Sequence, residues 1–401
     1  MFKLYRSLLI PCLLVPLVIS AGAAANPPSP VSVQSLTPQT PTTIPEAPQL
    51  AASGYILIDG ETGDVLAERN ADQRLPPASL TKMMSSYLVV DEVERGRIAE
   101  TNMVNISIKA WKMEGSRMFV KEGTQVSVID LLRGEIIQSG NDATVALAEY
   151  VGGNEETFVA MMNKKAGEMG MTATHFQNAS GLPSPEHYTT ARDLSRLARA
   201  VIFDHPHHYP LYAEKYFKYN NVRQPNRNLL LYRDPTVDGL KTGHTDEAGF
   251  CLVSSAKRES TRLISVVLGT KSDEARANET QKLLEYGFRY FETVTLYKPH
   301  TMITKARVWQ GKAPEVEMAL ANEVRLTIPR GRSGELRANV HLNEVIKAPI
   351  KSGEPLGSLT LELDGKVVST QPLLAINSVE EANFFVRLWD KLKLFFSHLF
   401  G

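Results

Sequence analysis

The sequence is poor in cysteine: Cys12 and Cys251 are the only two in 401 residues. Cys12 falls in an apolar leader, so a chain that loses the leader cannot close an internal disulfide. Cys251 sits in the apolar run Gly249-Phe250-Cys251-Leu252-Val253 and is expected to be a small buried hydrophobe rather than a reactive thiol. Net charge is lacking too, since 44 basic residues balance 44 acidic ones. That balance removes any general field for nucleic acid or an acidic polymer. No Gly-rich phosphate loop is present. His205, His207 and His208 cluster in a loop with Asp204 as the one acidic sequence neighbour and no cysteine nearby. They read as surface residues rather than metal ligands. Neither a metal, a cofactor nor a nucleic-acid partner is expected.

The N-terminus carries Lys3 and Arg6, an apolar run over 8–19, and small residues at Ala21-Gly22-Ala23 and Ala23-Ala24-Ala25. This is the pattern of a secretory signal over 1–25. The run is too short for a membrane span, which needs about 20 residues. Residues 26–48, rich in Pro, Ser and Thr, read as an extended linker.

From 49 to 292 the text predicts an α+β domain. Strands are expected at 54–58, 65–68, 237–243, 249–256 and 263–269, the last two joined by a hairpin tip at 257–262. Helices are expected at 80–93, 130–137, 143–151, 193–203 and 275–291. Strands at both ends with helices inserted between them suggest one antiparallel sheet with helices packed on it. Residues 293–377 read as a small all-β domain, with short alternating segments at 324–328, 336–342 and 359–363. The end, 378–401, predicts an amphipathic helix. Phe384, Phe385, Leu388, Trp389, Leu392, Phe395, Phe396, Leu399 and Phe400 share one face. With Arg387, Lys391 and Lys393 on the other side, it resembles an interfacial membrane helix.

Three short motifs carry the chemistry. Ser79-Leu80-Thr81-Lys82 opens a helical pattern, where residues three apart meet on one face. A second match, Ser254-Ser255-Ala256-Lys257, closes a strand, where the same spacing sends side chains to opposite faces. Only the first pair can place a nucleophile on its base. A serine needs its proton removed, and Lys82 can remove it only when neutral. Burial and a nearby cation, with Lys241 the candidate, would lower its pKa. A helix start at Ser79 would also aim backbone N–H groups at developing negative charge.

Ser139-Gly140-Asn141 breaks two helical segments. It reads either as a turn in which Asn141 or Asp142 caps the next helix, or as a proton relay (Ser139) with a substrate-amide contact (Asn141). Lys241-Thr242-Gly243 lies in a strand, where a glycine usually marks close approach of another backbone. A peptide laid along the strand would be such a backbone. Lys351-Ser352-Gly353, a near match, lies in a turn and carries no chemistry.

In combination these motifs resemble the D-alanyl-D-alanine carboxypeptidase family of low-molecular-mass, serine-type penicillin-binding proteins. The likeness extends to Pro77-Ala78-Ser79-Leu80-Thr81-Lys82-Met83-Met84, Asn178-Ala179-Ser180-Gly181-Leu182, His187-Tyr188-Thr189-Thr190-Ala191-Arg192-Asp193, Asn226-Arg227-Asn228 and Asp238-Gly239-Leu240-Lys241-Thr242-Gly243-His244-Thr245. The resemblance implies a β-lactamase/transpeptidase-like catalytic domain, a small all-β domain and an amphipathic tail. It implies that Ser79 is the acyl-enzyme serine and Lys82 its base, with Ser139 and Asn141 completing the proton network. Lys241 and Thr242 would hold the substrate carboxylate, with Gly243 beside them and Arg227 and Arg276 as further candidates. Backbone N–H groups of Ser79 and His244 would form the oxyanion hole. The implied substrate is the peptidoglycan pentapeptide stem, losing its terminal D-alanine, with β-lactams acylating the same serine. The implied location is the periplasmic face of a bacterial cytoplasmic (inner) membrane, held peripherally by the tail.

Thr144 stands where some relatives carry Cys, and Ser180 where enterobacterial members carry His. Both departures bear on deacylation rather than on the nucleophile. A class A-like β-lactamase is a weaker reading, because no Glu between Asn141 and Lys241 has an Asn four residues on. A D,D-endopeptidase shares the motifs but usually lacks a second domain, and a non-catalytic wall-binding protein would not need Ser79, Lys82, Ser139 and Lys241 intact.

Overall fold

The computed structural model describes residues 44–400, with side chains to 396. The signal and most of the linker expected over 1–48 lie outside the described residues. The described chain forms two compact units. One runs to Leu296 and includes Val324–Glu335; the other comprises Tyr297–Glu323 and the described residues from Leu336 onward.

The first unit opens with the hairpin β1 (Gly54–Asp59) and β2 (Val65–Arg69), followed by α1 (Lys82–Glu94). Next come β3 (Met103–Asn105), α2 (Ile108–Trp111), β4 (Gln125–Ser127), α3 (Val128–Gln138), α4 (Asn141–Gly152), α5 (Glu155–Glu168) and α6 (Ala191–Phe203). Polar side chains set several helix starts. Ser127, Asn154 and Thr190 each accept the backbone N–H three residues on, so α3, α5 and α6 begin with one orphan donor satisfied. The chain continues through β5 (Tyr216–Tyr219), β6 (Val222–Pro225) and α7 (Leu230–Arg233). It then returns to the sheet with β7 (Val237–Thr245), β8 (Gly249–Arg258) and β9 (Thr261–Thr270), and leaves it as α8 (Asp273–Tyr290) and β10 (Phe291–Tyr297).

The main sheet runs β2-β1-β9-β8-β7, so the first and last parts of the unit meet in its middle. Both faces are covered, and strand alternation divides the core accordingly. Ile56, Ile58, Val253, Ile264 and Val266 join the core built from α1, α3, α4 and α6. Tyr55, Leu57, Leu252, Leu263 and Val267 pack with Leu283, Leu284 and Phe288 of α8 on the other side. Cys251 is fully buried, and burial pushes its thiol up to about 11. It is inert, as its sequence context suggested.

Beyond β10 the strands are β11 (Met302–Arg307), β12 (Glu315–Leu320), β13 (Val324–Pro329), β14 (Arg337–Leu342), β15 (Pro355–Leu363) and β16 (Lys366–Ala375), with α9 (Phe384–Phe400) last. The second unit is a five-stranded sheet in the order β11-β12-β16-β15-β14. Residues 324–328, read as part of the small β domain, form β13, which pairs with β10 in a two-stranded sheet apart from the five-stranded one. The Thr62 and Thr327 hydroxyls lie 2.6 Å apart, and Arg325 pairs with Glu61. Alternation identifies a strand but not its partner.

Candidate active site

The nucleophile motif does not begin an α-helix directly. Ala78–Thr81 forms a single 3₁₀ turn, and α1 starts at Lys82. A 3₁₀ turn eclipses residues three apart, which stacks Lys82 on Ser79. Lys82 Nζ donates to Ser79 Oγ at 3.1 Å. It also donates to Asn141 Oδ1 (2.7 Å) and to the Ser180 carbonyl (2.5 Å). Ser79 is half-buried, whereas Lys82 is 1% exposed. The decoy is split as expected: Ser254 is buried and donates to the Gly239 carbonyl (3.1 Å), while Lys257 is exposed.

The second motif sits between two helices. Ser139 caps the end of α3 in the left-handed region at φ 60°, which turns its hydroxyl toward Lys241. Asn141 does not cap α4. Its amide nitrogen donates to the Glu114 carbonyl (2.6 Å), which aims the oxygen at Lys82. Asp142 does not cap α4 in the usual sense either. Its carboxylate accepts from the backbone N–H groups of Met118, Phe119 and Val120 at 2.8–3.1 Å, and so holds the loop that borders the site.

The third motif lies on β7, an edge strand of the main sheet with Lys241, Thr242 and Gly243 opposite Val253, Leu252 and Cys251. Lys241 is buried, and its Nζ donates to Ser139 Oγ (2.9 Å) and the Thr242 carbonyl (3.0 Å). Its ammonium therefore ends at the proton network, not at an open carboxylate pocket. Thr242, Gly243, His244, Arg227 and Arg276 line the cleft instead, together with Ser79, Ser139 and Asn141. The cleft encloses about 890 Å³, room for a short peptide. The backbone that approaches Gly243 is the nucleophile's own turn. A Cβ there would lie 3.1 Å from the Pro77 carbonyl oxygen and 3.3 Å from Ala78 Cβ.

Electrostatics favours a neutral base. Burial pushes Lys82 down to about 7, Arg227 adds repulsion, and Glu135 and Asp142 oppose the shift. Arg227 is a second cation acting on Lys82, beside the expected Lys241, since the repulsion between Lys82 and Lys241 is mutual. Lys241 is itself held well below the usual ammonium range by burial and by Lys82. Position adds to this, because Lys82 is the first residue of α1, where the helix dipole disfavours positive charge.

Sequence reading missed three parts of the site. The Ser180 carbonyl is a backbone acceptor and has no side-chain signature. Gly181 lies at φ +84°, and a Cβ there would fall 1.8 Å from the Ala78 carbonyl oxygen. Glu135 is an acidic residue within an otherwise apolar helix pattern, and that anomaly was the available signal. The histidine loop also differs from its reading. His205 and His208 are tied to Glu94 at 2.7 and 3.0 Å, and His208 also reaches Glu100. Among the described residues no group of three or more acidic, His or Cys side chains could hold a metal. His187 is buried with Nε2 3.0 Å from Thr81 Oγ1, and burial pushes it down to about 4.

An α+β domain with a serine on its lysine at the sheet edge, and a second serine–lysine pair beside it, defines the class of lysine-assisted active-site-serine proteins. Residues 41–272 match the family described as D-alanyl-D-alanine carboxypeptidase, and residues 291–381 match that described as the C-terminal domain of penicillin-binding protein 5. The chain belongs to the D-alanyl-D-alanine carboxypeptidase family. It is 46% identical over 364 residues to D-alanyl-D-alanine carboxypeptidase DacC of Escherichia coli K12, covering 89% of this chain and 91% of the relative. It is 44% identical over 368 residues to DacA of the same strain, covering 90% and 91%. Among solved structures, penicillin-binding protein 5 from Haemophilus influenzae superposes with a TM-score of 0.80 at 42% identity, over 83% of this chain and 99% of that one.

Proposed function

We propose that this chain is a serine-type D-alanyl-D-alanine carboxypeptidase that removes the terminal D-alanine from peptidoglycan pentapeptide stems. The observation that carries the reading is Lys82 Nζ, buried and pushed toward neutrality, 3.1 Å from Ser79 Oγ. A neutral amine has two hydrogens and one lone pair. With the hydrogens on Asn141 Oδ1 and the Ser180 carbonyl, the lone pair is left for the Ser79 proton.

Ser79 Oγ attacks the carbonyl of the D-Ala–D-Ala bond as Lys82 takes the proton. Backbone N–H groups of Ser79 and His244 receive the developing oxyanion. Ser139, held by Lys241, passes its proton to the departing D-alanine nitrogen and regains one from the Lys82 ammonium, and water then clears the acyl-enzyme. The substrate backbone lies along the open edge of β7, and its terminal carboxylate meets Thr242, Arg227 and Arg276. Lys241 acts behind Ser139, donating to its hydroxyl. β-Lactams acylate the same serine. A Listeria monocytogenes relative, penicillin-binding protein D2, has been solved in an ampicillin-bound form and shares 31% identity with this chain at a TM-score of 0.56. The test is covalent labelling by a fluorescent penicillin together with D-alanine release from a pentapeptide. Ser79→Ala is expected to lose both completely. A labelled Ser79→Ala variant would overturn the reading.

We also propose the layout of signal 1–25, linker 26–48, catalytic domain 49–292, β domain 293–377 and anchoring helix 378–401, on an exported protein held peripherally at the outer face of the cytoplasmic membrane. Supporting this, Asp390 of α9 accepts from the Gln310 backbone N–H (2.7 Å), while Phe385 and Trp389 are 79% and 60% exposed. The helix is held by polar contacts of Asp390 and Arg387 while these aromatic residues stay open, as an interfacial helix requires. Among the described residues no helix is long and apolar enough to cross a membrane. Truncation after residue 380 should move the protein to the soluble fraction with D-alanine release intact. Unchanged sedimentation with membranes would remove the anchor assignment.

A further inference from the structure

Glu135 has no role in the chemistry described so far. It lies on α3 one turn before Ser139, is fully buried, and neither carboxyl oxygen has a hydrogen-bond partner among the described residues. Thr144 of α4 adjoins it, but that hydroxyl donates to the Gly140 carbonyl at 2.9 Å. A buried carboxyl left without a partner costs stability, so retaining one here calls for a function. α3 packs against α1, α4, β4, β5, β6 and the turn Tyr209–Ala213. The charges acting on the carboxyl come from Lys82 of α1 and Lys241 of β7. Asp142 of α4 and Arg227 act on the same Lys82, Arg227 and Arg276 act on Lys241, and the Tyr212 hydroxyl feels the carboxyl. Tyr216, Lys218, Tyr219 and Arg223 of β5 and β6 are not among the charges that act on it.

When Lys82 takes the Ser79 proton it becomes an ammonium in a desolvated site. Among the described residues it has no ion-pair partner within bonding distance; its three contacts are a serine, an amide and a carbonyl. We propose that Glu135 is a positioning residue for Ser79 acylation, one that sets the charge of Lys82 through space. When ionised, it stabilises the ammonium that Lys82 becomes on taking the Ser79 proton; when protonated, it no longer does. This rests on the Ser79–Lys82 reading above. Burial pushes Glu135 up to about 8 and Lys82 down to about 7, so the two titrate over the same range as a pair.

The sign of the effect follows. An ionised Glu135 raises the pH at which Lys82 becomes neutral, so removing the carboxyl moves the acidic limb of acylation downward. The test is the pH profile of fluorescent-penicillin acylation in the full chain, with Glu135→Gln, Glu135→Ile and Glu135→Asp beside wild type. Glu135→Gln and Glu135→Ile are expected to shift the limb down by roughly half a pH unit or more, while Glu135→Asp stays near wild type. Wild-type midpoints in the first two, or the same shift in Glu135→Asp, would overturn the proposal. Should the glutamine variant not fold, the isoleucine variant carries the same readout. If neither folds, infrared titration of wild type decides: a Glu135 carboxyl band that does not titrate across the range of the acylation limb overturns it. Failure of wild type to label at Ser79 would instead strike the underlying reading, which separates the two.

Discussion

Lys82→Met is expected to cut acylation of Ser79 by on the order of a thousandfold while the protein stays folded, since a positioned general base contributes roughly 10²–10⁴ in rate. Methionine fills a similar volume in the buried start of α1 but cannot accept a proton. Lys82→Arg should be just as inactive, because a guanidinium keeps its proton at every working pH. That pairing separates loss of a base from loss of a positive charge. In wild type, acylation should fall as pH drops through about 7, where Lys82 regains its proton. Single-turnover labelling across pH, with near-ultraviolet circular dichroism as the folding control, measures all three. Appreciable labelling of folded Lys82→Arg would rule out Lys82 as the base.

Gly181→Ala should be among the most damaging single-methyl additions in the molecule. The new Cβ would sit 1.8 Å from the Ala78 carbonyl oxygen and 2.4 Å from its carbon, both main-chain atoms that cannot rotate away. The residue also holds φ +84°, a region costly for any L side chain. Either the protein loses on the order of 4 kcal/mol, or the Ala78–Thr81 turn gives way and Ser79 leaves Lys82. Urea unfolding reads the first outcome and penicillin labelling the second. A variant with wild-type midpoint and labelling rate would show that Gly181 does not clamp the nucleophile turn.

The parts of the site visible in the sequence are those built by local geometry. Ser79 and Lys82 are three residues apart on one turn, so their contact follows from helical spacing alone. Ser139 sits where two helical patterns break, which marks it as a turn or relay residue, and the fold buries its hydroxyl against Lys241. Lys241 and Gly243 lie in a strand, where a glycine is not expected without cause. What escaped was set by chain segments far apart in sequence. The Ser180 carbonyl reaches Lys82 from 98 positions away, and a main-chain oxygen leaves no trace in residue type. Arg227 adds to Lys241 as a cation acting on the base, a contribution from a loop residue that the three motifs do not contain. Strand β13 is recognisable as a strand but its pairing with β10 is not, since period-two alternation reports burial on one face but not which edge supplies the hydrogen bonds.

By itself, then, the sequence determined the elements, the nucleophile with its base, and a polar network broken into three motifs, all consequences of spacing along a regular backbone. Only the tertiary structure decided what surrounds that network: a glycine pressed on the nucleophile turn, an arginine tuning the lysine, and a carboxyl buried without a partner behind it. Proton affinity inside a protein depends on which charges and dipoles crowd one small dry volume, and that is a property of the folded chain rather than of any stretch of it.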